Sequence, residues 1–215
     1  MAKPTQAAEP GGRVSKRRTE TRRRLLDAAE LVFAEEGFGR STVEQVCARA
    51  GFTRGAFYSN FASLDELFLA MWEQRSGDLV TAMRTAFENI GSADVTDVRS
   101  IVERLLPAIP VDDVWYRVSA EFTAHALRNP GLRRVMTARE DAIVRAAAPF
   151  VEALLARIGR EVPDRTALGQ ALIAVHDGTA VQCLMEPDNP AVRQRRADLA
   201  THVMTAYSTE SKGQS

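Results

Sequence analysis

Cysteine is scarce: Cys47 and Cys183 are the only two in 215 residues, and neither has a CxxC companion. That excludes a disulfide scaffold, argues against a zinc site, and fits a reducing, cytoplasmic setting. Long apolar runs are missing as well. No stretch approaches the ~18 residues a membrane helix needs, so no membrane partner is expected. The first residues, Met1 to Gly12, are polar and lack the apolar core of a secretory signal. There is no GxGxxG after a strand, no GxSxG, no P-loop glycine–lysine pattern and no HExxH. The three histidines, His125, His176 and His202, are too dispersed for a metal site. His176 and Asp177 are sequence neighbours and face different sides of a helix, so they make no ready acid–base pair. Neither an enzyme nor a cofactor is expected. A helical scaffold or adaptor is one non-catalytic reading.

What is present is ordinary for a globular chain: 45% hydrophobic and 26% charged residues, enough for one or two domains. The formal net charge of zero hides an asymmetry. Residues 1–62 carry 11 Lys/Arg against 7 Asp/Glu, and the remainder carries 17 against 21. A basic front end on an otherwise acidic molecule points to an anionic partner met at one end.

Residues 1–18 read as a flexible basic arm, with Pro4, Pro10, Gly11 and Gly12 ahead of Arg13, Lys16, Arg17 and Arg18. From Thr19 the period is helical. Leu25, Ala29, Val32 and Phe33 share a face, and Gly37 marks the end. Ser41 to Glu44 reads as a capping box with Ser41 as the cap, opening a short helix with the stripe Val43, Val46, Cys47 and Ala50. Gly51 stops it, and Thr53 caps another helix running to about Phe61. Ser63 and Glu66 repeat the box ahead of Leu64, Leu67, Phe68 and Met71. Further helices are expected near 96–107, over 111–129, over 132–158 with a kink at Pro149, from Pro163 to about Met185, and from Pro190 to near Tyr207. No strand pattern occurs. The chain is predicted to be all-α with about nine helices: a head over 19–65, a larger helical domain over 66–210, and a disordered tail over 211–215.

Thr42 to Phe61 has the layout of a helix-turn-helix: a bracing helix, a turn on Gly51, and a second helix with Thr53, Arg54, Gly55, Tyr58 and Asn60 exposed. This segment also resembles the DNA-binding signature of the TetR family of bacterial transcriptional regulators. The shared features are the Thr42 start, the Ala50-Gly51 turn, Thr53-Arg54-Gly55, Tyr58 to Phe61, and Ser63 to Leu67. The likeness covers roughly residues 20–70. One departure is Leu64, where the family usually places a phosphate-binding Lys. The backbone amides of Ser63 to Glu66 remain available there.

The resemblance implies roles that chemistry makes concrete. Arg54 offers a planar fork for guanine O6 and N7, with a phosphate contact as the alternative. Gly55 lets backbone approach the duplex. Thr53 caps its helix and is placed for phosphate or a thymine methyl, while Tyr58 and Asn60 suit phosphate clamping. Thr42 suits phosphate through its amide and hydroxyl. Arg22, Arg23 and Arg24 suit phosphate or the minor groove, and equally a solvated face. Phe57 and Phe61 read as core.

A single helix-turn-helix reads too few base pairs, so a homodimer on a palindromic operator in double-stranded DNA is expected. The last two helices suit pairing, through Leu168, Ala171, Leu172, Val175 and Gly178 in one and Leu199, Val203 and Tyr207 in the other. A purely intramolecular core is the alternative. The family holds a small-molecule effector in the helices after the head. Candidate pocket residues are Phe68, Trp72, Trp115, Tyr116, Phe122, His125, Phe150 and His176, although aromatics at helical spacing are more often core. No charged cluster stands out, which points to an apolar or aromatic effector. Ligand would then shift the population away from the DNA-binding conformation. A repressor is the first reading and an activator the second.

Overall fold

The computed structural model describes residues 10–91 and 94–211. Among these, nine helices follow one another: α1 (Pro10–Glu36), α2 (Val43–Ala50), α3 (Arg54–Tyr58), α4 (Leu64–Asn89), α5 (Val98–Leu105), α6 (Asp113–Ala126), α7 (Pro130–Arg157), α8 (Arg165–Met185) and α9 (Pro190–Ala206). The chain divides after Trp72 into two compact units.

The first unit is built on phenylalanine. Phe33, Phe38, Phe57, Phe61 and Phe68 are all buried, with Leu25, Val46 and Leu67 between them. Phe38 meets Phe33 edge-on at 5.1 Å and Phe68 at 6.0 Å. Such pairs add roughly 0.5–1.5 kcal/mol beyond the area they bury. Gly37 and Gly51, at φ 84° and 72°, supply the left-handed turns that close α1 and α2.

In the second unit α9 packs against both α5 and α8, and α8 against α7. Ile101, Leu105, Leu154, Leu155, Leu168 and Met204 form the centre of that core. Short polar side chains start the helices. Asp112, Asn129, Asp164 and Asn189 each accept from a backbone N–H of the first turn, at 2.8–3.0 Å.

Several expectations are revised. α1 begins at Pro10, so residues 10–18 of the expected arm are helical; a proline at the first helical position gives up only an N–H with no intrahelical partner. Residues 1–9 and 212–215 lie outside the described residues. The cap of α2 is Thr42, whose Oγ1 accepts from Gln45 N at 3.2 Å, while Ser41 donates to Gly37 O. α3 ends at Tyr58, and Asn60 N and Phe61 N both turn back to Phe57 O. The first compact unit extends past residue 65, because Leu67, Phe68 and Met71 are buried. One strand pair does occur, Arg160–Glu161 antiparallel to Thr209–Glu210, too short to leave a period of two in the sequence.

Gly169 marks a close approach of α8 to α7: a Cβ built there would overlap the Val144 side chain. Gly169→Ala is therefore expected to lower stability by about 1–3 kcal/mol, as overpacking does. Thermal denaturation checks this. Val144→Ala in the same chain should recover part of the loss.

Candidate nucleic-acid interface and effector cavity

α3 is only five residues long, and its inner and outer edges differ completely. Phe57 is fully buried, whereas Tyr58 is 50% exposed and Thr53, Arg54 and Gly55 are exposed. Thr53 Oγ1 accepts from Ala56 N at 3.3 Å, so the cap sets the first turn. The Arg54 guanidinium lies 5.8 Å from the Tyr58 ring centre and pairs with Glu44 on α2 at 2.6 Å. Both partners are more than half exposed, so this pair contributes little and yields readily to a stronger anion. Thr42, one residue ahead of α2, is exposed beside it.

The remaining proposed contacts divide. Arg22 is committed internally: Nη1 donates to Asn60 O at 3.1 Å and the guanidinium stacks 4.2 Å above Phe61. Asn60 is committed too. Its Nδ2 donates to Ala56 O at 2.8 Å, and its buried Oδ1 is an acceptor, which cannot hold a phosphate oxygen. Arg24 donates to Ala50 O at 2.7 Å and stacks on Phe52, tying α1 to the turn after α2. Arg23 stands in ion pairs with Glu20 and Asp27, which favours the solvated-face reading. Cys47 Sγ reaches Thr53 O at 3.5 Å, and burial, the largest cause, pushes its thiol pKa up.

The second unit contains a cavity of about 70 Å³. Met83, Val102, Leu105, Leu172, Val175 and Met204 line it, His176 and Arg196 border it, and its surface is almost wholly apolar. Of the eight expected pocket residues only His176 is on this lining. Phe68 and Phe122 are fully buried core side chains; Phe68 belongs to the first unit, as does Trp72, which stacks on it at 6.0 Å. Phe150 packs on Phe87, His125 on Phe122, and Trp115 under the Arg75 guanidinium. Tyr116 is half-buried on α6, away from the lining.

A family model described as "BetI-type transcriptional repressor, C-terminal" matches residues 95–207, over half of the chain, and one described as "Bacterial regulatory proteins, tetR family" matches residues 25–71. The chain belongs to the TetR family of transcriptional regulators. FasR of Mycolicibacterium smegmatis, a transcriptional activator, is 31% identical over 104 residues, which are 48% of this chain and 47% of FasR. BepR of Brucella suis, a transcriptional repressor, is 45% identical over 49 residues, 23% of each chain. The chain thus spans half or less of the length of these relatives. The structure of FadR from Bacillus subtilis in complex with stearoyl-CoA matches with a TM-score of 0.59 at 18% identity, covering 86% of this chain and 96% of that one. The last likeness is one of fold. Relatives and family models alike are regulators and not enzymes, and no described helix is long and apolar enough to cross a membrane.

Motif reading misassigns one site residue of this TetR-family chain and passes over another. Glu44 reads by motif as the partner of Ser41 in a capping box, whereas it pairs with Arg54 and Gln45 takes the capping place beside Thr42. Arg196 carries a signal of a different kind: Val192, Arg196, Ala200 and Met204 recur every four residues, and all are buried. The expected pairing residues also divide. Leu168 is 3% exposed and belongs to the intramolecular core, which overturns its assignment to an interface. Leu172, Val175 and Val203 pack against the same core, and Ala171 is half-buried. Gly178, Leu199 and Tyr207 are exposed.

Burial, reinforced by the Arg196 charge, pushes the His176 pKa down to about 4. An unfolded histidine takes its proton near pH 6.5. Between those values the unfolded chain binds the extra proton, so His176 stabilises the fold fully above about pH 6.5 and loses that contribution as pH falls towards 4. From pH 7 to 4.5 the wild type should lose about 2 kcal/mol more than His176→Gln in denaturant titrations. Equal losses would show that His176 is not held neutral by its surroundings.

Proposed function

We propose that this TetR-family regulator is a repressor that binds a palindromic operator as a homodimer in the cytoplasm and leaves it when a small effector occupies the second unit. The observation that carries the DNA-binding part is the outer edge of α3. Arg54, Gly55 and Tyr58 face outward from a helix whose other face is anchored by Phe57, while Thr42 and Thr53 stand at the amino-terminal ends of the two helices. Arg54 reads a base edge, and Thr42, Thr53 and Tyr58 hold phosphates and fix register. A Cβ on Gly55 would meet nothing in the protein closer than Thr53 Oγ1 at 3.7 Å. Its lack of a side chain therefore serves the approach of something outside the chain. The bonds of Arg22 and Asn60 hold the head together, and neither side chain is a DNA contact in this reading.

Dimer formation is supported by what α8 and α9 leave uncovered. Ala174, Gly178 and Met185 on α8, and Leu199 and Tyr207 on α9, are exposed in the single chain. Nothing lies within 4 Å of a Cβ at Gly178, so a large side chain there fits the protomer and obstructs only a partner. Gly178→Trp should sediment as a folded monomer; a persisting dimer would refute this interface. The cavity supplies a place for an effector, and FadR, of similar fold, has been crystallised in complex with stearoyl-CoA. The repressor reading draws on the matched second-domain family and on BepR, and FasR keeps the activator as the alternative.

Selection of random duplex DNA on the purified protein, followed by sequencing, tests the whole reading. An enriched palindrome with half-sites about one helical turn apart is expected. Arg54→Ala should relax preference at one position per half-site, by about 1–3 kcal/mol. Uniform weakening at every position would make Arg54 a phosphate contact. Glu44→Gln should tighten binding at low salt, because it frees Arg54 and removes a negative charge beside the duplex; weaker binding would make Glu44 a positioning residue for Arg54.

A further inference from the structure

Most arginines of the head are already partnered within it. Arg22 and Arg24 bond the Asn60 and Ala50 carbonyls, Arg23 pairs with Glu20 and Asp27, Arg49 with Glu35, and Arg54 with Glu44. Lys16, Arg17, Arg18 and Arg40 differ. All four are exposed, and among the described residues none has a partner for its side chain. Two of the four stand at opposite ends of α3. Arg18 lies one turn before Arg22 on the same face of α1, about 6 Å away. Arg22 in turn is bonded to Asn60 O, just past the end of α3. At the other end, Arg40 precedes Thr42, and Thr42 caps the helix from which Glu44 holds Arg54, the first residue of α3. The backbone of Arg40 is fixed as well: its N–H donates to Gly37 O at 3.2 Å, and buried Phe38 anchors the same turn. Arg17, five positions before Arg22, falls on another side of α1, because successive helical residues turn by about 100°.

We propose that Arg18 and Arg40 are phosphate contacts, one on each backbone strand beside α3, that clamp the duplex without reading it. A helix in the major groove, about 12 Å wide, has a phosphate strand on either side, and long side chains at the two ends of α3 reach one strand each. The inference rests on the reading of the head as the DNA-binding unit and names the source of its sequence-independent attraction. The other arginines of the head supply little of it, since their donors are taken or their charges balanced inside the fold. Side-chain ends make these contacts, so the backbone amides of α1 exchange as in the free protein.

The test is the salt dependence of binding, by fluorescence anisotropy of the full chain on a labelled duplex of arbitrary sequence and on the selected palindrome. Each phosphate contact contributes about 0.9 to the slope of log affinity against log salt, so a dimer loses about 1.8 for Arg18→Gln or for Arg40→Gln, on both duplexes. The double variant should lose about 3.6. Base preferences in the selection should stay as in the wild type, and Arg40→Lys should keep the slope, because a phosphate contact needs the charge and not the fork. Both side chains are exposed and unpaired, so the variants should melt with the wild type. Arg17→Gln, which removes the same charge from another side of α1, should lower the slope by less than half as much. Unchanged slopes in the Arg18 and Arg40 variants would overturn the clamp. So would an equal fall in Arg17→Gln, which would report net charge alone, or an altered base preference, which would make the residue a reader. A wild type that binds neither duplex at low salt would overturn the clamp together with the DNA-binding reading beneath it.

Discussion

Five residues cannot hold themselves in a helix. Isolated helices shorter than about 12–15 residues are marginal in water, so α3 exists because its neighbours hold it. Burial of Phe57 and Phe61 supplies part of that hold, with the Thr53 cap and the Arg22 bond to Asn60 O. Everything the head presents to a partner depends on this anchoring. The same two side chains that pin α3 fix its rotation about its own axis, and that rotation decides that Arg54, Gly55 and Tyr58 face outward.

The arginines of α1 serve the same end. They could be mistaken for a binding face because the front of the chain is basic, yet Arg22 and Arg24 spend their donors on Asn60 O and Ala50 O and their planar faces on Phe61 and Phe52. They fasten α1 to the central turn of the helix-turn-helix and to the residues that follow α3. A guanidinium can cap a backbone carbonyl and cover an aromatic ring at once, which an ammonium does less well. In the second unit one arginine is placed differently. Arg196 sits on the buried stripe of α9, between Val192 and Ala200, where a hydrophobic residue would be the cheaper choice for stability alone. Its Nη2 donates to Ile109 O and meets the His176 ring, so it ties α9 to the segment after α5 and to α8.

Much of this was legible in the residues. The helix succession followed from caps and breakers such as Asn129-Pro130 and Asn189-Pro190, and the helix-turn-helix from Gly51, Thr53 and the stripe Val43 to Ala50. Local rules suffice there because each signal acts within one turn of itself. What escaped depends on distance along the chain. The bonds of Arg22 span 38 residues and those of Arg196 to Ile109 span 87, and no local period reports them. Phe57 and Phe61, read as core, are buried, but helical spacing told nothing of which aromatics border empty space. Thr42 displaced Ser41 as the cap because adjacent hydroxyls compete and the Gly37 carbonyl claims the serine. The expected arm failed at Pro10, which in a first turn starts a helix as easily as it breaks one.

Hydrogen exchange of the full chain, with and without duplex DNA at low salt, tests most directly whether the outer edge of the head is the DNA-binding surface. The expected result is slowed exchange confined in the head to amides between Thr42 and Phe61, strongest over Thr53 to Tyr58. A saturated complex in which those amides exchange as fast as in the free protein would place the duplex elsewhere and remove the role assigned to α3.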